Sequence, residues 1–274
     1  MPQKSTYRAI ILCTEGNIGS IVHLNKILKT KNVEVEGIII SPSAPGGIKK
    51  NWKYIKRIGF FYSLIFAFQF IMQHLILGLN IIRHKIFRRN YILPLKSAAG
   101  EIPIFETSDI HDDKSKQFIQ DQEADLLISA NFNQILKPEV IKLTKLGAIN
   151  IHPANVENYR GAMNYFWVLK NKEKKTGVTI HWMDEKIDTG EVINIKDFKI
   201  NDNDTQFSIN IKTSLIGSLL LRKILQSGNI EKNKEKISEK GKYHSIPEEK
   251  DLEDYNLKSP FYRIRQFFWL FKKV

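Results

Sequence analysis

Apolar residues along the chain fall into short runs separated by helical or turn-rich segments. Five of these runs are predicted to be strands: residues 7–13, 35–41, 102–106, 124–130 and 147–153. Continuous apolar runs are typical of strands buried on both faces, so they predict an α/β fold whose mostly parallel sheet carries helices on both faces. Such sheets bind ligands at the carboxyl ends of their strands. We therefore expect the functional residues at that edge.

Residues 58–82 form the longest apolar segment, with 25 positions that contain no Lys, Arg, Asp or Glu. A helix of this length would measure about 37 Å, which is long enough to cross a bilayer. Four polar residues recur within it at helical spacing: Tyr62, Gln69, Gln73 and Asn80. They would lie within about 40° of one another around the helix. This polar side favours an inserted amphipathic helix lying on a surface over one surrounded by lipid.

The chain beyond residue 228 changes in composition. Residues 229–242 are dense in charge and poor in apolar residues, which predicts a solvated linker or a fraying helix. Residues 261–274 mix aromatic side chains with Lys and Arg. We expect this tail to dock its aromatic residues on the core, with contact to a membrane surface as the alternative.

Charge and cysteine content restrict the partners that the protein is expected to bind and the compartment in which it is expected to work. The chain has 42 Lys and Arg against 29 Asp and Glu, a formal charge of +13, which predicts affinity for nucleic acid, a membrane surface or a phosphorylated small molecule. Cys13 is the single cysteine, which excludes a disulfide framework and a Cys-rich zinc site. The N-terminal residues do not resemble a secretion signal. We therefore expect a cytoplasmic protein that acts on, or lies near, anionic groups.

Three polar residues at predicted strand ends form the candidate chemistry. Asn150 and His152 project to the same side of the last predicted strand, and Asp188 precedes a Thr-Gly turn. An amide, an imidazole and a carboxylate can stabilise an oxyanion and move a proton. Taken singly, each residue could instead serve as a cap, a core histidine or a turn former. Metal binding by His152, His181 and Asp188 is a further alternative, although no HxxxH spacing supports it.

Residues 125–193 contain IS-A-NFNQIL, G-INIHP, YRG, TGVTIH and DxxIDTG in order. This stretch resembles the N10-formyltetrahydrofolate-dependent formyltransferases, which include the methionyl-tRNA, glycinamide ribonucleotide and amino-sugar enzymes, and a weaker resemblance covers residues 7–225. The resemblance implies a Rossmann-like fold. It also implies a formyltransferase catalytic domain over residues 1–228, with an apolar helical insertion at about 49–90 and a short C-terminal extension over 229–274.

The same resemblance implies the roles of the three polar residues. Asn150 and a protonated His152 would hold the oxyanion while a substrate amine attacks the formyl carbon. Asp188 would keep His152 charged and relay the proton to the departing folate nitrogen, with no metal. A nearby carboxylate does favour a cationic imidazole, and preorganised donors act where charge develops.

Binding residues are also implied by the resemblance. The formyl donor, N10-formyltetrahydrofolate, would lie against backbone groups of one segment and under a loop, and the predicted cofactor-binding residues are Gln134, Ile135, Leu136, Asp184 and Ile187. His181 would be structural. Apart from the resemblance, the glycine spacing in residues 14–20 predicts a loop able to approach a phosphate. The predicted substrate-binding residues are Gly16 and Asn17 of that loop, together with Tyr159, Arg160 and Gly161.

The chain departs from the family pattern at several positions, and these departures concern which molecule accepts the formyl group. Residues 154–157 replace a usual Ser-Leu-Leu-Pro, Asn164 replaces a usual proline, and residues 229–274 leave no room for the family's tRNA-binding barrel. These features favour the amine of a nucleotide-linked amino sugar, a precursor of surface glycans such as lipopolysaccharide O-antigen, and argue against tRNA. Methionyl-tRNA or glycinamide ribonucleotide stays open as acceptor. A membrane-surface binding module, peripheral membrane contact and a homodimer stay open too, whereas DNA is not an expected partner.

Overall fold

The strands form one large sheet and one small one. The computed structural model describes residues 6–43, 52, 55–228, 230, 241–256 and 260–272. Within these residues the large sheet contains β1 (Tyr7–Thr14), β2 (Val33–Ser41), β3 (Ile104–Glu106), β4 (Leu126–Ala130), β5 (Gly147–His152), β7 (Lys175–Trp182) and β8 (Val192–Lys199). The small sheet pairs β6 (Tyr159–Gly161) with β9 (Lys242–His244).

The large sheet has the order β3-β2-β1-β4-β5-β7-β8. The five strands from β3 to β5 are parallel, which confirms the predicted mostly parallel sheet. Strands β7 and β8 add an antiparallel edge that the apolar runs did not predict. Because β5 has β4 on one side and β7 on the other, the end of β5 lies where the parallel part of the sheet meets its antiparallel edge.

Helices cover both faces of this sheet, as predicted. Ala9, Ile11 and Cys13 of β1 belong to one apolar cluster, whereas Ile10 and Leu12 belong to another on the opposite face. The larger cluster includes residues of the first, second and seventh helices. The helices are α1 (Ile18–Ile27), α2 (Phe60–Phe87), α3 (Leu95–Ala99), α4 (Asp113–Asp121), α5 (Pro138–Ile141), α6 (Asn164–Lys170), α7 (Gln206–Ser227), α8 (Glu249–Asn256) and α9 (Ile264–Phe267).

Helix α2 is the predicted amphipathic helix, and its polar side faces the protein. Tyr62, Gln73 and Asn80 are buried. The Asn80 Nδ2 group donates to the carbonyl oxygens of Ile92 and Leu270, at 2.9 and 2.8 Å. These bonds fix the rotation of α2 about its own axis. By length and composition alone, α2 is also the one helix of the described residues that could cross a membrane.

The aromatic tail docks on the core, as expected, over its described part. Phe261, Phe267 and Leu270 are each at most 3% exposed. Phe268 is exposed instead, because it lies on the outer side of the 3-10 turn Phe268–Phe271. Of the charge-dense segment 229–242, residues 229 and 231–240 lie outside the described residues, as do residues 273–274. The segment's end is not linker or helix as predicted, because Lys242 begins β9 and pairs with Tyr159. The division of the chain at residue 228 stays a prediction.

Candidate active site

Strands β5 and β7 place three polar side chains around the carboxylate of Asp188. Asn150 of β5 pairs with His181 of β7 in the antiparallel register, and His152 follows at the end of β5. The Asp188 carboxylate is reached by Nδ1 of His152 and by Nε2 of His181, each at 3.5 Å. Asn150 Nδ2 donates to the same carboxylate at 3.3 Å. The three residues predicted to be catalytic therefore lie together.

Asp188 is held by backbone as well as by side chains. Its φ of 52° is in the left-handed region, which a carboxylate-bearing residue adopts more readily than a branched one. Its Oδ2 accepts a 2.8 Å hydrogen bond from the backbone N–H of Gly161. Gly161 has a φ of 93°, and a Cβ there would lie 2.1 Å from the carbonyl oxygen of His244. Only glycine therefore fits where the strand β6 meets Asp188.

His181 has a definite hydrogen-bonding role. Its Nδ1–H group donates to the carbonyl oxygen of Trp182 at 2.7 Å, and its Nε2 lies 3.3 Å from Asn150 Nδ2 and 3.5 Å from Asp188 Oδ1. The amide of Asn150 is thereby oriented from two sides, by His181 and by Asp188. The sequence placed His181 in a structural role, and the structure shows that what it supports is the amide of Asn150.

His152 has two partners at its other ring nitrogen. Its Nε2 lies 2.8 Å from the carbonyl oxygen of Tyr159 and 3.0 Å from Nδ2 of Asn164. The first partner accepts a proton and the second donates one, so either neutral tautomer of the ring finds a partner. Asn164 was not among the predicted site residues. Its replacement of a usual proline was the sequence signal that could have found it.

Burial and charge set the protonation of the pair. Burial lowers the pKa of His152, and this outweighs the opposing effect of the Asp188 carboxylate. Burial alone would raise the pKa of Asp188, but the two histidines and the Gly161 N–H group outweigh it and hold that pKa below its ordinary value. Burial thus favours the neutral form of His152, while the surrounding groups favour the ionised form of Asp188. The lowered pKa of His152 opposes the cationic ring that the resemblance implied, and that cationic state stays a prediction.

A cation could in principle be bound by the same residues, since one ligand atom from each of His152, His181 and Asp188 lies within 4.8 Å of the others. The amide nitrogen of Asn150, however, lies 3.3 Å from both His181 Nε2 and Asp188 Oδ1 and points its protons at them. A donor in that position repels a cation. The arrangement suits proton transfer and oxyanion binding better than metal binding.

The predicted folate-binding residues differ in their contacts. Gln134 uses its side chain structurally: Oε1 accepts from the N–H of Ile110, and Nε2 donates to Ser41 Oγ. Leu136 is buried in the core. Asp184 accepts from Lys186 N–H and Thr189 Oγ1 and so shapes its own loop. The side chains of Ile135 and Ile187 are 56% and 36% exposed, and these two could cover a flat ring.

The predicted substrate-binding residues also differ in the contacts that they make. Asn17 caps α1, accepting from the N–H groups of Gly19 and Ser20. Next to Gly16, the ring of Phe70 from α2 lies 2.3 Å from where a Cβ would be. The hydroxyl of Tyr159 donates to Glu173, and Gly161 binds Asp188. Arg160 differs, because its buried Nε has no hydrogen-bond partner among the described residues.

Further unpartnered polar atoms belong to residues around the first loop, which connects β1 to α1. Gly19 lies against Asn131 and Asn210, since a Cβ there would approach both side chains. Within the described part of the chain, the buried side-chain atoms near this loop that lack a hydrogen-bond partner are Glu15 Oε2, Gln73 Oε1, Asn131 Nδ2 and Asn210 Oδ1. Buried polar atoms are nearly always paired, so this group is suited to a polar ligand. Sequence reasoning did not identify Asn131 or Asn210.

The fold and the site define an α/β enzyme core with an Asn-His-Asp cluster at the carboxyl end of a central strand. The profile of the formyl transferase family matches residues 81–223, about half of the chain. The chain belongs to this family, which confirms the resemblance drawn from its motifs.

Curated relatives match over a similar region. A methionyl-tRNA formyltransferase of Clostridioides difficile is 34% identical over 141 residues, covering 50% of this chain and 46% of that protein. A bifunctional polymyxin resistance protein, ArnA, of Wigglesworthia glossinidia brevipalpis is 35% identical over 130 residues, covering 47% of this chain and 20% of that protein. The chain thus spans at most about half the length of these relatives.

Solved structures share the fold over more of the chain. A sugar N-formyltransferase from a Shewanella species has a TM-score of 0.54 and 20% identity, covering 88% of this chain and 77% of that one. An N-formyltransferase from Helicobacter canadensis, solved with folinic acid and dTDP-3-aminofucose, has a TM-score of 0.52 and 19% identity, covering 88% and 71%. At these identities the likeness shows the α/β formyltransferase fold.

Proposed function

We propose that this protein transfers a formyl group from N10-formyltetrahydrofolate to the amine of a nucleotide-linked amino sugar. The main support for this reaction is the cluster of Asn150, His152 and Asp188. The Asp188 carboxylate lies 3.3 Å from Asn150 Nδ2 and 3.5 Å from His152 Nδ1. Family membership supports the same chemistry. When bound, the folate supplies an activated formyl carbon.

In this mechanism the chain's residues bind the oxyanion and move one proton. Attack by the amine places negative charge on the formyl oxygen, which the amide of Asn150 and an N–H group of His152 stabilise. The amine must also lose a proton, and the ionised Asp188 accepts it directly or through Nδ1 of His152. The same proton then passes to the folate nitrogen as the bond between that nitrogen and the formyl carbon breaks. Protonation of His152 is favoured while negative charge develops, although burial lowers its pKa beforehand.

The residues around the cluster fit the proposed donor and acceptor. Exposed isoleucines on two loops, Ile135 and Ile187, can cover the faces of a pterin. The unpartnered Arg160 Nε supports binding of a diphosphate, and the unpartnered Asn131 and Asn210 atoms support binding of sugar hydroxyls. The Helicobacter canadensis protein, whose structure contains dTDP-3-aminofucose, provides an analogy for this acceptor class.

Methionyl-tRNA is the second candidate acceptor. It is favoured by the relatives of matching sequence and by the formal charge of +13. Binding of tRNA should weaken steeply with salt, whereas binding of a small nucleotide sugar should not. We propose a cytoplasmic location for either reaction, supported by the single, buried Cys13.

Mass spectrometry of the acceptor tests the proposal. The full chain is incubated with N10-formyltetrahydrofolate and separate pools of nucleotide-linked amino sugars, methionyl-tRNA and glycinamide ribonucleotide, with Asp188→Asn as control. We expect one nucleotide sugar to gain a formyl group in place of an amine hydrogen, and the product to disappear in the control. Formylation of methionyl-tRNA or glycinamide ribonucleotide alone would replace the sugar assignment, and no product from any pool would contradict formyl transfer.

A further inference from the structure

Helix α2 exposes a continuous row of large apolar side chains. Within the helix these residues recur every three or four positions, and each is between 43% and 66% exposed. At the helical period they fall within about 80° of one another around the axis. We call this row the apolar stripe, and it consists of Leu64, Phe68, Ile71, Leu75, Leu79, Ile82 and Ile86.

The stripe cannot turn inward, because the opposite side of α2 is hydrogen-bonded to the protein. Asn80 donates to the carbonyl oxygens of Ile92 and Leu270, and Gln73 Nε2 donates to the Gly16 carbonyl at 2.6 Å. A helix bound along one side to polar groups of its own protein is not surrounded by lipid. Its long apolar side can instead lie flat on a bilayer, as amphipathic helices do.

The segment that carries the stripe has charges of one sign, although Glu248 and Glu249 of the C-terminal part lie at its N-terminal end. Residues 37–100 contain ten Lys or Arg and no Asp or Glu. Exposed cations lie before the stripe, at Lys56, and after it, at Lys85, Arg88 and Arg89, whereas Arg57 is paired with Glu248 at 3.6 Å. Positive charge at both ends of an apolar row complements the anionic surface of a lipid bilayer.

The same charges disfavour a second copy of the chain as the partner. Parallel packing of two α2 helices would place each cationic end against its equivalent. Antiparallel packing would place Lys56 and Arg57 of one copy against Arg88 and Arg89 of the other. Arg57 has an acidic partner in Glu248 of its own copy, but the segment 37–100 supplies none for the other cations, and unpaired like charges at an interface are unfavourable.

We propose that the apolar stripe of α2 is a membrane-binding surface, which lies in the interface of a bilayer that contains anionic lipid. The flanking Lys and Arg residues contact the lipid headgroups. Because Gln73 and Phe70 of the same helix contact Gly16, binding would hold the predicted substrate-binding loop at Gly16 and Asn17 beside the membrane surface. This inference is independent of the proposed reaction, since lipid binding needs no substrate.

Vesicle flotation of the full chain tests the proposal. The probes are vesicles of equal parts phosphatidylglycerol and phosphatidylcholine, compared with phosphatidylcholine alone. We expect binding to the anionic vesicles that weakens when salt rises from about 50 mM to about 500 mM. The double variant Leu75→Gln/Leu79→Gln should reduce the partition coefficient about tenfold or more, because both side chains are exposed and enter the bilayer.

A control variant distinguishes membrane binding by the apolar stripe from binding by any exposed apolar side chain. Leu219 on α7 is also an exposed leucine, at 46%, and Leu219→Gln should bind as the unchanged protein does. The double variant Lys85→Gln/Arg89→Gln should lose about 30-fold on the anionic vesicles, since each headgroup-facing cation contributes about 1 kcal/mol.

Three results would overturn the proposal. The first is no binding to anionic vesicles at low salt, and the second is unchanged binding of Leu75→Gln/Leu79→Gln. The third is a dimer, detected by light scattering, that this variant converts to a monomer, which would make the stripe a subunit interface.

Discussion

The side-chain nitrogen of Asn164 lies 3.0 Å from Nε2 of His152, and both side chains are almost fully buried. The same Asn164 nitrogen donates to the carbonyl oxygen of Gly161 at 2.9 Å, whereas Oδ1 of Asn164 is buried without a hydrogen-bond partner. When His152 carries its proton on Nδ1, its Nε2 accepts from Asn164. When the proton is on Nε2, Tyr159 accepts it. Asn164 is thus a positioning residue for one of two tautomers.

Asn164→Asp should move the pH dependence of catalysis. A carboxylate beside Nε2 favours the cationic ring and raises the pKa of His152. We expect the acid limb of the kcat/KM profile to move to higher pH, and Asn164→Ala to lower kcat about tenfold with little change in KM for folate. The matched control is Asn158→Ala, an exposed asparagine six residues earlier. Unchanged pH profiles in both Asn164 variants would remove it from the mechanism.

The cluster itself should be sensitive to single substitutions. Asn150→Ala and His152→Ala should each reduce turnover about 100-fold or more, because each removes a donor to the oxyanion. Asp188→Asn should do likewise, because it loses the proton acceptor and misorients the pair. Circular dichroism should show a folded protein in all three cases. Any one of them that keeps more than about a third of the turnover is not catalytic.

Gly161 should be essential to the geometry around Asp188. Gly161→Ala combines a φ of 93° with a Cβ 2.1 Å from the His244 carbonyl, so we expect the free energy of unfolding to fall by more than about 2 kcal/mol. Gly100→Ala is the matched control, since Gly100 has a φ of 61° and no atom within 4 Å of the added carbon. Urea titration of both variants measures the difference, and equal losses would show that the close approach to His244 does not matter.

Stability should fall in acid through a buried histidine far from the cluster in sequence. Burial lowers the pKa of His23 to about 3, and its Nδ1 is hydrogen-bonded to Ser218 Oγ at 2.9 Å. Below about pH 6.5 the unfolded chain gains a proton at His23 that the folded chain does not take up. The free energy of unfolding should therefore decrease by about 1.4 kcal/mol per pH unit from this group as pH falls toward 3.

His23→Gln tests that expectation, because glutamine can keep a hydrogen bond to Ser218 but does not titrate. Urea unfolding at several pH values between 4 and 7 should give a shallower pH dependence for this variant than for the unchanged protein. The same slope in both proteins would show that His23 does not contribute.

The parallel half of the fold could be predicted from sequence because its strands are buried on both faces. The apolar runs at 7–13 and 35–41 correspond closely to Tyr7–Thr14 and Val33–Ser41. Strand β8 (Val192–Lys199) was not predicted, because it lies at the sheet edge and several of its side chains are exposed and charged. Burial on one face only leaves no continuous apolar run.

The candidate site was predictable to the extent that its residues share a strand or a motif. Asn150 and His152 are two positions apart on β5, so strand geometry alone placed them on one side. Asn164, Asn131 and Asn210 come from three other elements, and only the fold brings them near the site. The lowered pKa of His152 was also not predictable, since it depends on how completely the ring is buried.

The Asn80 bond to the Leu270 carbonyl joins residues 190 positions apart in the chain. A ribosome that adds roughly 5 to 20 residues per second therefore completes helix α2 roughly 10 to 40 s before this partner is synthesised. During that interval the polar side of the helix has its partners at Gly16 and Ile92 but lacks the one at Leu270, and its apolar residues can associate with other nascent chains. Production of this protein should therefore depend on chaperones that cover α2 until the tail arrives.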